Sequence, residues 1–167
     1  MALNEDLEKI ASQEHELHLQ RFDAQFAWEL GTRIRTMAVE RGLILVIDVR
    51  RFGQPLFYAA LDGTTPDNAE WVRRKSNVVA RFHRSSYAVG MTLKVKGTTL
   101  LERYGLPVAD YAADGGCFPL IAENAGIVGS ATVSGLPQRD DHNLVVEALC
   151  ALLGRDFAAL RLGPESA

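Results

Sequence analysis

Hydrophobic and polar positions recur with two different periods along the chain, and the changes of period divide it into helices and hairpins. Residues 3–13 have the spacing of a short leading helix, and residues 16–22 alternate polar and apolar as an extended stretch does. Asp23 supplies an N-cap for a helix that runs to about Arg41, where Gly42 stops it. At about 100° per residue, Phe26, Leu30, Ile34 and Met37 share its core face. Trp28 falls on the opposite side, in line with Thr32, Arg35 and Val39. This second, partly apolar stripe suggests a subunit interface; the alternative is a lone surface tryptophan.

Leu43–Val49 is nearly continuously apolar and rich in β-branched residues, as a strand buried on both faces should be. The turn at 51–55 returns into a partner strand, Leu56–Ala60. Turn formers at 62–67 precede a helix over about 68–84, and a second helical region covers parts of 86–104, interrupted by Gly90 and Gly97. A further hairpin joins strand 117–122 to strand 127–133, with Pro119 marking an edge or a bulge. A final helix spans about Gln138 to Leu153 and ends at Gly154. Two hairpins among helices predict an α+β fold, an antiparallel sheet of about five strands flanked by helices, forming a single domain over 1–154 with a loose tail at 155–167.

Composition narrows the function classes. The 167-residue chain is 47% hydrophobic with a net charge of −3, so no global basic field draws it to nucleic acid or an anionic membrane. Its apolar runs are too short to span a bilayer. The acidic opening MALNEDLEKI lacks the basic and apolar regions of a signal peptide, and with only two cysteines, Cys117 and Cys150, a cytoplasmic location is expected. Nucleotide-binding, zinc-protease and nucleophile-elbow fingerprints are absent. His15 and His18 are the best metal candidates, although in an extended strand they point oppositely. A haem iron needs only one axial ligand, so a single histidine here still matters.

Two charges interrupt apolar faces. On the helix at 68–84, Trp71, Val72, Val78, Val79 and Phe82 form one arc, and Lys75 falls in its middle. A lysine there must reach water, find an anion or lose its proton. On the last helix Asp141 projects onto the centre of the face formed by Leu144, Val145, Ala148, Leu149 and Leu152, with His142 at its edge. The helix dipole accounts for a first-turn carboxylate. The alternatives are a Lys75–Asp141 pair, or Asp141 and His142 lining a pocket. Gly115 and Gly116 would let backbone approach a ligand, or simply form a tight turn. Cys117 is a reactive thiol or a buried apolar cysteine. Ser85 and Ser86 suit a helix cap.

Four motifs carry a family resemblance: Trp71-Val72-Arg73-Arg74-Lys75; Arg81 through Ser86; Gly115-Gly116-Cys117-Phe118-Pro119-Leu120; and Val133 through His142. In this order they resemble the GlcG-like or "haem-degrading" domains (the HbpS-like superfamily) from about Glu14 to Leu153. The resemblance implies a profilin-like sheet and assembly into dimers or larger rings. It also implies haem or another tetrapyrrole as the ligand of some relatives, and it supplies no catalytic triad. Three functions follow as expectations. The first is binding of an anionic, partly apolar molecule such as haem, with Arg74 and Lys75 on its carboxylates and Trp71, Phe82 and Phe118 as apolar wall. The second is an enzyme on a small organic acid using Asp141 and His142 as acid and base. The third is an oligomeric scaffold docking through the Trp28 stripe.

Overall fold

The polar stretch after the first helix is too short to build a strand of ordinary length, and this shapes one edge of the sheet. The computed structural model describes residues 2–165. Helix α1 (Ala2–Glu16) runs three residues beyond the expected 3–13 and leaves only β1 (His18–Leu19) extended. Helix α2 (Ala24–Glu40) starts at the expected cap, with the Asp23 carboxylate accepting from the Phe26 N–H at 2.8 Å. Strands β2 (Val46–Arg51) and β3 (Gln54–Ala60) form the first hairpin. The first strand begins later than its apolar run because Ile44 is exposed.

Helix α3 (Pro66–Phe82) starts with a capping box in which the Thr65 N–H donates to Asn68 Oδ1. The following helical region splits into α4 (Ser86–Lys96) and α5 (Leu100–Tyr104) at Gly97. Gly90, expected to interrupt, lies inside α4, where the Ala113 carbonyl oxygen occupies the space a Cβ would need. Strands β4 (Cys117–Ala122) and β5 (Gly126–Ser134) make the second hairpin, and α6 (Gln138–Leu153) and α7 (Phe157–Leu160) complete the chain.

The fold is α+β, and the strand order is β1-β4-β5-β2-β3. The expected antiparallel sheet needs one correction: β1 pairs with β4 in parallel, so the sheet is mixed. Because β1 reaches only Ile121 and Ala122, the Pro119 end of β4 is a free edge, and a register shift follows at Leu120/Ile121. Both readings of Pro119 therefore hold, since its missing N–H faces no neighbouring strand.

Strand alternation gives the two faces opposite characters. Ile47, Val49, Phe118, Leu120, Ala131 and Val133 belong to the main core with Leu30 and Ile34 of α2 and Val145 and Leu149 of α6. The other face carries Asp48, Thr132 and Cys117 in one cross-strand row and Arg50 and Ser130 in the next. Helix α3 covers this polar face. There Asp48, fully buried, accepts two hydrogen bonds from Arg50, at 2.7 and 2.8 Å. A bidentate pair of this kind offsets much of the cost of burying the carboxylate.

Residues 157–163, expected to belong to a loose tail, are packed onto the domain. Leu160 and Leu162 are buried, and the Leu160 carbonyl accepts from Gln13 Nε2 at 2.7 Å. Asn143 exchanges two hydrogen bonds, each 3.0 Å, with the backbone of Leu162. Side chains from α1 and α6 thus fasten residues 157–163 across the helical layer, a long-range arrangement with no local periodicity to announce it.

Candidate functional site

The buried cation finds its anion inside the chain. Lys75 Nζ donates to Asp141 Oδ2 at 3.1 Å and to the Val133 carbonyl at 3.2 Å, and the two side chains are only 4% and 2% exposed. Asp141 also accepts from the backbone N–H of Leu136 at 2.9 Å and of Gly135 at 3.4 Å. Burial nevertheless dominates, raising its carboxyl to about 6 against the pull of Lys75. Gly116 has φ +137°, and a Cβ there would stand 2.6 Å from Lys75 Nζ, so this glycine is what lets the lysine pass. Gly115 is held likewise against the Gln138 backbone. Both glycines thus make room for the ion pair and for the start of α6.

The pair forms the floor of an open cavity of about 360 Å³, lined also by Asn68, Trp71, Asp114, Ser134, Gly135, Leu136 and Gln138. Three secondary-structure ends converge here: the start of α3, the end of β5 and the first turn of α6. Asn68 Oδ1 and Gln138 Oε1 accept from the Thr65 and Gly115 N–H groups, at 3.0 and 2.9 Å, which fixes both amides and leaves their NH₂ groups as donors without a partner among the described residues. Lys75 and Asp141 cancel, so Asp114 leaves the lining with one net negative charge.

The other expected site residues are dispersed. Arg74 stacks over Trp71, its guanidinium carbon 4.6 Å from the ring centroid, and donates to the Val108 carbonyl, away from the cavity. Phe82 packs against Tyr104 with ring centroids 4.9 Å apart, in a cluster with Val89, Leu93 and Leu100 separate from the main core. Phe118 is in the main core, and the Cys117 thiol is buried and pushed up to about 11, an inert group.

His142 does not line the cavity either. It is fully buried between Tyr87 and Phe118, with Nε2 2.8 Å from Gln13 Oε1. Gln13 uses its NH₂ on Leu160, so the imidazole must be the donor in this bond and Nδ1 is the unprotonated nitrogen, without a partner. Burial lowers its pKa to about 3, and its ring is engaged by Gln13 and not by the cavity that Asp141 lines. Sequence reasoning missed Asn68, Ser134 and Gln138, which are polar residues at element ends and break no pattern. It also missed Asp48 and Arg50, whose i, i+2 opposite charges inside an apolar strand were the available signal.

His15, at the end of α1, is exposed, and His18 stands on β1 with ring centroids 6.3 Å apart. No group of three or more metal-ligating side chains occurs among the described residues. On α2, Trp28 and Val39 are 61% and 55% exposed and Thr32 and Arg35 are exposed too, although the Trp28 ring leans on Phe57 at 5.6 Å.

Comparison with known proteins places this geometry in a family. The model of the haem-degrading HbpS-like proteins matches residues 22–150, and the chain belongs to that family. A UPF0303 protein of Acidobacterium capsulatum is 62% identical over 162 residues, covering 97% of this chain and 98% of the relative. Another from Paraburkholderia phymatum is 59% identical over the same shares. Among solved structures, Ybr137w superposes with a TM-score of 0.82 at 29% identity, over 89% of this chain and 87% of that one. HbpS superposes with a TM-score of 0.63 at 19% identity, over 83% and 94%. A haem complex of PduOC gives 0.65 at 13% identity, over 80% and 94%. The last two likenesses concern the fold alone.

Proposed function

We propose that this protein binds a small polar molecule in the cavity floored by Lys75 and Asp141. The observation that carries this reading is a buried ion pair in one cavity lining with two amides held by their own backbone contacts. The amides of Asn68 and Gln138 are locked by their own backbone contacts, so they lose little freedom on binding. The charge balance corrects the expected ligand. Lys75 spends its charge on Asp141, and Asp114 makes the lining acidic, so a ligand that offers only anionic oxygens, with no hydrogen-bond donor for Asp114, is disfavoured. The fitting ligand carries a carbonyl or carboxyl oxygen for the two amides and an amine or hydroxyl for Asp114, over the Trp71 ring. Small amino and hydroxy acids belong to this class.

Trp28→Phe leaves Trp71 as the sole tryptophan, so its emission reports the cavity. Titration with serine, glycine, lactate and glycolate is expected to give a saturable change for at least one. Asp114→Asn should weaken it about tenfold, the effect of one lost charged hydrogen bond. A flat response to every compound refutes the reading.

Haem does not suit this cavity, which presents no histidine, methionine or free thiol to iron. A second reading, haem binding elsewhere on the chain, is favoured by an open groove of about 680 Å³ beside β1. His18, Arg21, Phe26, Leu152, Leu153 and Arg155 line it, together with Gln20, Glu29 and Glu123. His18 Nε2 lies 3.1 Å from the Glu14 carbonyl, which fixes the proton on Nε2 and frees Nδ1 as a ligand. His18 would hold the iron, the two arginines the propionates, and the apolar side chains the ring. Haemin titration should then give a saturable Soret band near one equivalent that His18→Ala abolishes and Asp114→Asn leaves intact. An unsaturable, variant-independent absorbance removes this reading without touching the first.

A further inference from the structure

Helices α3, α4 and α5 meet at the opposite end of α3 from the residues, Asn68 and Trp71, that line the Lys75 cavity. The end of α3, one face of α4 and the end of α5 enclose a slot of about 80 Å³ with an apolar floor of Phe82, Val89 and Leu93 and a wall of Tyr104. Its rim is cationic: Arg84, Lys96 and Arg103, with Thr92 between them. Arg84 donates weakly to the Thr92 hydroxyl at 3.4 Å, and Arg103 lies 5.7 Å from the Tyr104 ring centroid. None of the three cations belongs to an ion pair among the described residues, and no carboxylate lines the slot. Val95 on α4 and Leu101 and Tyr104 on α5 are further exposed apolar side chains of these helices, at 51%, 55% and 41%.

Cations in last helical turns offset helix dipoles, which accounts for the sign of Lys96 and Arg103. It does not account for their convergence with Arg84 on one apolar depression, in a protein whose net charge is negative. An exposed apolar slot is costly unless something covers it, and a rim of one sign selects what does.

From this we infer that the slot docks an acidic peptide segment. One apolar side chain enters between Phe82, Val89 and Leu93, and flanking carboxylates meet Arg84, Lys96 and Arg103. The size of the slot suits one side chain, and the positive rim excludes basic segments. The guanidiniums of Arg84 and Arg103 suit carboxylates, which they can bind through two parallel hydrogen bonds.

The test uses the full chain and fluorescence anisotropy of a labelled pentapeptide, a central leucine with acidic residues on both sides. Saturable binding is expected, weakened about tenfold by Arg103→Glu and by Lys96→Glu, and about tenfold by replacing the peptide's leucine with serine. Rising salt should weaken it further, while Asp114→Asn in the other cavity changes nothing. Absence of saturable binding overturns the inference. Equal binding by the serine peptide, or full competition by inorganic phosphate, also overturns it by showing a bare anion site. Equal binding of a lysine-flanked peptide does the same by showing apolar adhesion alone.

Discussion

Replacing Lys75 with Met is expected to cost about 3–5 kcal/mol of folding stability, the usual penalty for leaving one member of a buried ion pair alone. Asp141 would keep the Leu136 and Gly135 N–H groups but lose the cation that opposes the effect of burial. Its carboxyl, already raised to about 6, would climb further and take up a proton near neutral pH. Asp141→Asn is expected to cost a similar amount, because it strands the ammonium against the Val133 carbonyl alone. The double variant Lys75→Met/Asp141→Asn should be more stable than the sum of the single losses implies. A coupling energy of about 2–3 kcal/mol is expected for groups in direct contact. Urea unfolding of the four proteins measures this, and strictly additive losses would mean that the pair makes no net contact in solution.

The second large effect is a pH dependence set by His142. Its pKa falls from 6.5 to about 3 on folding because burial removes water from the charged form. Above pH 6.5 both folded and unfolded chains hold it neutral, and it contributes no pH dependence. Below pH 6.5 only the unfolded chain takes up the proton, so stability falls as pH falls. The expected slope is about 1.4 kcal/mol per pH unit, accumulating to about 5 kcal/mol by pH 3. Asp141 works in the opposite sense, since its folded pKa of about 6 exceeds the ordinary 3.8. The folded chain therefore gains stability from that group as pH drops from 6 to 3.8, about 3 kcal/mol in all. His142→Gln removes the first effect while keeping a partner for Gln13. The stability difference between wild type and His142→Gln should thus be constant above pH 7 and shrink steadily below 6.5. A difference independent of pH would mean that His142 charges freely within the fold.

Much of this arrangement was legible because charge broke an otherwise regular pattern. Lys75 and Asp141 each stood at the centre of an apolar face, and a charge in that position has few ways to be satisfied. Pairing the two across helices far apart in sequence was one of the alternatives open to them, and their side chains stand 3.1 Å apart. Strand β4 and helix α6 were equally plain, bounded by Gly116 before one and Gly154 after the other. The role of His142 was hidden for a physical reason. Its place at the edge of an apolar arc does not say whether solvent or a second helical layer lies beyond, and here α1 and α4 bury it through Gln13 and Tyr87. Phe82 misled in the opposite way: it lies on the correct arc, but at the end of α3 it packs on the separate cluster formed with α4 and α5. The docked C-terminal segment depends on Gln13, Asn143 and Arg139, side chains contributed from a distance. Asn68 and Gln138 gave no signal, because an amide at a helix start is what any cap would show.

The claim that the Lys75–Asp141 cavity is a binding site is tested most directly by the indole N–H resonances of ¹⁵N-labelled protein titrated with the small amino and hydroxy acids. Trp71 lines the cavity, and Trp28, on the far face of α2, is the internal control. A saturable shift of the Trp71 resonance, accompanied by the side-chain amides of Asn68 and Gln138 while Trp28 stays fixed, is the expected result. Resonances that do not move, or that move together for both tryptophans, would contradict it.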